Sequence, residues 1–188
     1  MVPLMSLWLP IVASAVGVFL ASFITHMVLP FHRSDVRKLP ADKEDQVLEA
    51  LRRVNVPPGD YAAPHAGSGA GMRDPAFIAK ATKGPLAFMT LAPGVSPSMG
   101  PYLGQWFVYC VVVGVFAAYI AGRALPAGTL YLDVFRFAGA TAFIGYTTAL
   151  WQMSIWYRRA WSTTIKATVD GLIYALLTAG AFGWLWPR

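Results

Sequence analysis

The stretch Trp106–Gly122, WFVYCVVVGVFAAYIAG, decides the fold, because it carries no charged residue and is almost wholly apolar. It forms the second half of a run of 39 uncharged residues between Lys83 and Arg123. The hydrocarbon core of a bilayer is about 30 Å thick, and about 20 apolar residues of helix are enough to cross it. The stretch therefore predicts a membrane-spanning helix.

The composition of the chain points the same way. Its 188 residues are 56% hydrophobic and 13% charged, whereas about 25% of the residues in a typical soluble domain are charged. The formal net charge is +6; in a membrane protein, basic residues mark the cytoplasmic side, so they do not indicate a nucleic-acid partner here. The single cysteine, Cys110, excludes an intrachain disulfide. We expect an integral membrane protein that binds no nucleic acid.

Three further apolar segments have the length of a span. With the segment above, the four predicted spans lie at about 10–29, 101–122, 130–153 and 165–186. Small residues recur at four-residue spacing, as at Gly114, Ala118 and Gly122, and such faces let helices approach closely. The pattern predicts an all-α membrane protein with a four-helix transmembrane bundle. It divides into a first transmembrane helix at 1–30, a loop region at 31–100 and a three-helix region at 101–188.

Residues 31–100 form the only extensive polar region, with nine Lys or Arg and seven Asp or Glu. One short amphipathic helix is predicted from a cap at Asp42 to about Val54, and a second at 75–82 with Asp74 as its cap. Residues 61–65 read as extended. The segment LAFMTL at 86–91 fits either a short strand or a membrane-surface segment, and the sequence alone leaves both open.

The distribution of basic residues predicts the orientation. The loop 31–100 and the turn 156–166 hold 12 of the 15 Lys and Arg residues. By the positive-inside rule these regions face the cytoplasm. A removable signal peptide is not expected, since Met1–Ile24 has no charge and the basic residues follow the apolar run. We expect a multi-pass protein of a cytoplasmic (inner) membrane with both termini outside.

Charged or titratable residues within spans are functional candidates, because they are costly to insert. Asp133 and Arg136 are three apart and can pair on one helical face, although a role in binding a headgroup, a quinone or a subunit remains open. Asp170 is predicted in the first turns of the fourth span, where a helix N-terminus favours an acid. His26 is the only histidine inside a predicted span, which argues against a bis-histidine haem.

An aromatic and basic cluster follows the third predicted span. As a structural feature it is an aromatic belt with cytoplasmic anchors; as a site it would contact an anionic lipid headgroup or a partner subunit. Its members are Trp156, Tyr157, Arg158, Arg159, Trp161 and Lys166.

No catalytic, nucleotide-binding or metal-binding motif is found in the sequence. We therefore expect no enzymatic activity, no cofactor and no metal. The expected role is that of an accessory, scaffold or assembly subunit of a membrane complex, which contacts lipid and other membrane subunits or further copies of itself. The alternatives are a small transporter or channel with Arg136 and Asp133 near its path and, third, a redox or lipid-modifying enzyme.

Overall fold

The computed structural model describes residues 1–94 and 98–188 and is mainly helical. It divides into two compact units, one formed by Met1–Val36 with Ser98–Arg188 and the other by Arg37–Pro97. The helices are α1 Trp8–Phe23, α2 Ala41–Val54, α3 Pro75–Lys83, α4 Gly100–Ala124, α5 Tyr131–Thr147, α6 Trp151–Ile155 and α7 Trp161–Trp184. The strands are β1 Gly59–Ala63 and β2 Ala87–Leu91.

Within the described residues, three helical stretches are long and apolar enough to cross a membrane: Leu4–Val28, Gly100–Ala124 and Trp161–Trp184. The first is α1 with a 3-10 turn before it and a π-helical turn, Ile24–Val28, after it. These stretches match three of the four predicted spans and support a membrane protein.

The third predicted span, 130–153, is helical but not one continuous helix, because α5 ends at Thr147 and the 3-10 turn Thr148–Leu150 separates it from α6. Two adjacent threonines lie at the break. The Thr147 hydroxyl donates to the Phe143 carbonyl at 2.6 Å, and the Thr148 hydroxyl donates to the Ile144 carbonyl at 3.0 Å. Such bonds from a hydroxyl to the carbonyl four residues earlier compete with the backbone bonds and bend helices.

The core of the first unit is built from small residues. Ala15, Ala117, Ala138, Ala142 and Ala179 are fully buried. A Cβ on Gly139 would lie 2.9 Å from the Cβ of Ala179, so α5 and α7 approach almost to backbone contact there. The small-residue faces thus pack against the chain's own helices, as the four-residue spacing predicted.

Hydrogen bonds also join neighbouring helices of the first unit. The Trp106 indole N–H of α4 donates to the Ser22 hydroxyl of α1 at 2.8 Å, and the Tyr109 hydroxyl donates to the Gly145 carbonyl of α5 at 2.7 Å. At the other end of the bundle, the Val2 N–H donates to the Gly122 carbonyl at 2.8 Å. These bonds satisfy polar groups within an apolar setting, where an unpaired group is costly.

The second unit contains two helices and a two-stranded antiparallel sheet, in which Gly59 pairs with Leu91. Residues 87–91 of the segment 86–91 therefore form a strand, as one of the two alternatives predicted, and the small sheet is an addition to the predicted all-helical fold. Asp74 caps α3 as predicted, accepting from the Ala76 N–H at 2.8 Å. The predicted cap at Asp42 was wrong: α2 begins at Ala41 after Pro40, and Asp42 lies in its first turn.

Candidate functional site

The candidate site begins where the chain leaves the first candidate span. Leu29 is extended, and Pro30–His32 forms a 3-10 turn that changes the chain direction. This turn brings His32 back over His26, and their rings stack with centroids 4.1 Å apart and planes 5° from parallel. Two imidazoles six residues apart are thus held face to face.

Asp170 of α7 meets this pair. It is 3% exposed, and its Oδ2 lies 2.8 Å from Nε2 of His32. The sequence predicted Asp170 in the first turns of its helix. That prediction was wrong, because α7 begins at Trp161 and Asp170 lies in its third turn. The N-terminal end of the helix dipole, which acts within the first turn, therefore does not account for this acid. Its buried position next to an imidazole marks it as a functional candidate.

Lys166 holds the turn against α7. Its ammonium donates to the Phe31 carbonyl at 2.7 Å, to the Ser34 hydroxyl at 2.8 Å and to Oδ1 of Asp35 at 2.9 Å. An ammonium group has three N–H donors, and all three are used within the chain. Lys166 therefore anchors the turn and has no donor left for a lipid headgroup.

Asp35 links the ammonium to the imidazole pair. Its Oδ2 lies 2.7 Å from Nδ1 of His32, while its Oδ1 accepts from Lys166. Burial by itself would raise the pKa of the Asp35 carboxyl, but the hydrogen bonds from His32 and Lys166 and the Lys166 charge hold that pKa below its ordinary value. Asp35 is therefore an ionised acceptor, which orients the His32 ring.

A pocket of about 540 Å³ opens beside the cluster. Side chains of α1, α4 and α7 line it, and Phe19, Phe23, Leu103 and Trp106 give it apolar walls. Polar groups also line the pocket: His26, Asp170, Tyr174 and Arg159. An apolar cavity with a few convergent polar groups is the usual form of a small-molecule site.

The aromatic and basic cluster of the sequence surrounds the connection between α6 and α7. Trp156, Tyr157 and Trp161 are 70%, 53% and 50% exposed. Arg158 has a positive φ of 58°, and its exposed side chain follows the end of α6. Of the cluster, Arg159 alone lines the pocket, so the cluster is a surface feature with one member at the site.

The pair predicted between Asp133 and Arg136 forms, with Nη1 of Arg136 3.2 Å from Oδ1 of Asp133. Both side chains are exposed, at 48% and 71%. They lie on the first turns of α5 and do not line the pocket described above.

Sequence reasoning missed His32 and Asp35 as members of the site, because both follow the predicted first span. The available signal was the ten-residue sequence from His26 to Asp35, which contains two histidines and one acid and is turned by Pro30. His65 belongs to the second unit.

The sequence matches no protein-family model, and comparison with curated proteins and with solved structures finds no match for the chain.

Proposed function

We propose that this chain is a four-span protein of a cytoplasmic membrane that binds an amphiphilic, lipid-like molecule in the pocket between α1, α4 and α7. It would do so as a non-enzymatic accessory subunit of a membrane complex. The observation that carries the proposal is the pocket of about 540 Å³, with apolar walls beside His26, Asp170 and Arg159.

The shape of the pocket supports an amphiphile. An acyl or isoprenoid chain would lie against Phe19, Phe23 and Leu103, while its polar head would meet the imidazole of His26 and the guanidinium of Arg159. Because Lys166 is fully engaged by the chain, Arg159 is the cation best placed for an anionic head. Arginine binds phosphate and carboxylate oxygens in a bidentate geometry, which suits this role.

The fourth crossing is part of the same proposal. Residues 131–155 are helical apart from the turn at 148–150, and at about 1.5 Å per residue they are long enough to cross the hydrocarbon core. The basic residues at 33–38 and 158–166 then face the cytoplasm, and both termini lie outside. The polar cluster would sit at the cytoplasmic end of the bundle.

The accessory role is supported by the surfaces that the chain leaves uncovered. The small-residue faces are used within the bundle, as at Gly139 and Ala179. Partner contacts would therefore involve Trp156 and Trp161, since exposed tryptophans at a membrane interface are strong candidates for protein contacts.

Native mass spectrometry of the full chain in a gentle detergent tests the ligand. We expect a co-purifying lipid-like adduct that is lost in Ala167→Trp, because Ala167 lines the pocket and an indole there would fill it. Ile173→Trp, on the exposed side of α7, is the matched control and should keep the adduct. Equal adducts in all three proteins, or none in the wild type, would refute the proposal.

A small transporter is the second candidate, and one observation favours it. Asp170 is buried at 3% exposure inside a candidate span with His32 beside it, and acid–histidine pairs in such places carry protons in pumps and transporters. Proton uptake by vesicles that contain the purified chain, abolished in Asp170→Asn, would replace the accessory reading with this one.

A further inference from the structure

We propose that His26, His32 and Asp170 form a binding site for a divalent transition-metal cation of the zinc class. Each residue offers one ligand atom, and the three atoms lie within 4.8 Å of one another. The proposal rests on these three ligand atoms. His26 and Asp170 also line the pocket, but metal titration and the lipid-like adduct are separate measurements, so the two proposals are tested separately.

The first argument is the state of Asp170. Its side chain is 4% exposed, yet among the described residues neither carboxylate oxygen takes part in an aligned hydrogen bond. His32 Nε2 lies 2.8 Å from Oδ2 but is also without an aligned bond. A buried carboxylate without a donor costs several kcal/mol, so such groups are normally paired or bound to a metal.

The second argument is geometric. In a tetrahedral site with metal–ligand bonds of about 2.0–2.2 Å, neighbouring ligand atoms are about 3.4 Å apart and neither lies on the lone-pair axis of the other. Nε2 of His32 and Oδ2 of Asp170 are 2.8 Å apart and unaligned, so a cation between them would separate this pair by about 0.6 Å. A small contraction of the 4.8 Å cluster around a cation brings all three atoms into range.

The third argument is the hydrogen bonding behind the ligands. Asp35 accepts from Nδ1 of His32 at 2.7 Å, which leaves the Nε2 lone pair of the neutral ring available to a cation. Nδ1 of His26 lies 3.1 Å from the Ser22 carbonyl and 2.9 Å from the Thr25 hydroxyl, so Nδ1 is held within the chain and Nε2 is left for a cation. Metal-binding histidines nearly always donate their other N–H to a carboxylate or a carbonyl in this way.

The charges suit a cation. Lys166 pairs with Asp35, so the carboxylate of Asp170 has no ammonium partner of its own when both imidazoles are neutral. Two imidazoles with one carboxylate select first-row transition metals over Mg²⁺ and Ca²⁺, which prefer oxygen ligands. His26 is exposed and lines the pocket, so the pocket provides an entry path and a free coordination position.

The competing arrangement is a doubly protonated His32 bridging Asp35 and Asp170 without a metal. In that arrangement the His32 imidazolium pairs with both carboxylates. No stoichiometric metal binding is then expected. The two arrangements therefore separate in a direct titration.

The full chain is purified in detergent without a polyhistidine tag, treated with EDTA and titrated with Zn²⁺ against a chromophoric chelator. We expect one Zn²⁺ per chain, and a visible absorption band when Co²⁺ is used instead. His26→Ala should weaken binding at least about tenfold, and Asp35→Asn about 10- to 100-fold. His65→Ala, in the other unit, is the matched control and should bind as the wild type does.

His26 is exposed, so its replacement tests the site without disturbing the core, even if Asp170→Asn fails to fold. Less than half an equivalent of Zn²⁺ bound by the folded wild type would overturn the proposal. Equal affinities in His26→Ala and His65→Ala would overturn it as well.

Discussion

Nε2 of His32 lies 2.8 Å from Oδ2 of Asp170, and this contact joins the turn after the first candidate span to the third turn of α7. The two residues are far apart in the sequence, and the turn at Pro30–His32 together with the Lys166 ammonium brings them into contact. The polar end of the bundle thus depends on a few directed interactions, whereas the apolar part depends on close packing of small residues.

Lys166→Met should destabilise the bundle by about 2 kcal/mol. The substitution removes three hydrogen bonds and leaves Asp35, whose side chain is 15% exposed, without its ammonium partner. Hydrogen bonds to charged groups contribute about 1.5–3 kcal/mol each when one partner is removed, and partial solvation reduces the sum. Thermal melting in detergent measures the change. Lys80→Met, in the other unit, should leave the melting of the bundle unchanged. An equal loss of stability in both variants would show that Lys166 does not hold the turn against α7.

Gly139→Ala should destabilise the packing of α5 on α7 by about 1–3 kcal/mol, the usual cost of an added methyl group in a filled core. The new Cβ would lie 2.9 Å from that of Ala179. Gly17→Ala is the matched control, because a Cβ there meets nothing within 4 Å. It should be neutral or stabilising by up to about 1 kcal/mol through helix propensity. Chemical unfolding in mixed micelles distinguishes the two, and a neutral Gly139→Ala would show that the helices separate at no cost.

Cysteine labelling should place three positions on alternating sides of the membrane. Cys110 is 1% exposed, so it should stay silent towards a membrane-impermeant maleimide. In intact cells, Ala127→Cys should react from outside, whereas Ser68→Cys and Ser162→Cys should react only after the membrane is opened. Reaction of Ser162→Cys from outside would mean that residues 131–155 do not cross.

Arg136→Leu should change stability by no more than about 0.5 kcal/mol. Its ion pair with Asp133 is 3.2 Å long but exposed, and exposed pairs contribute about 0–1 kcal/mol. Melting in detergent gives the stability, and vesicle flux gives any transport activity. Loss of flux in Arg136→Leu with unchanged melting would place a transport path at this end of α5 instead of at Asp170.

The apolar helices could be predicted from the sequence because hydropathy and length are local properties. Segments such as Gly100–Ala124 need no partner to be identified, and Asp74 and Pro75 specify the start of α3 by short-range bonding. The break after Thr147 was missed, since apolar composition is the same in a straight helix and a bent one. The site was predicted only in part. Asp170 and His26 were single candidates, but His32 was missed because a contact between distant segments leaves no periodic pattern.

The Val2–Gly122 hydrogen bond has a counterpart at the other terminus, where the Gly128 N–H donates to the Pro187 carbonyl at 2.9 Å and the Trp186 indole N–H donates to the Pro126 carbonyl at 3.0 Å. Val2 and Pro187 are therefore hydrogen-bonded to the two flanks of the short connection between α4 and α5. Complementary fragments of a fluorescent protein fused to the two ends would reassemble within a single molecule. Fluorescence from such a fusion would therefore not indicate dimerisation.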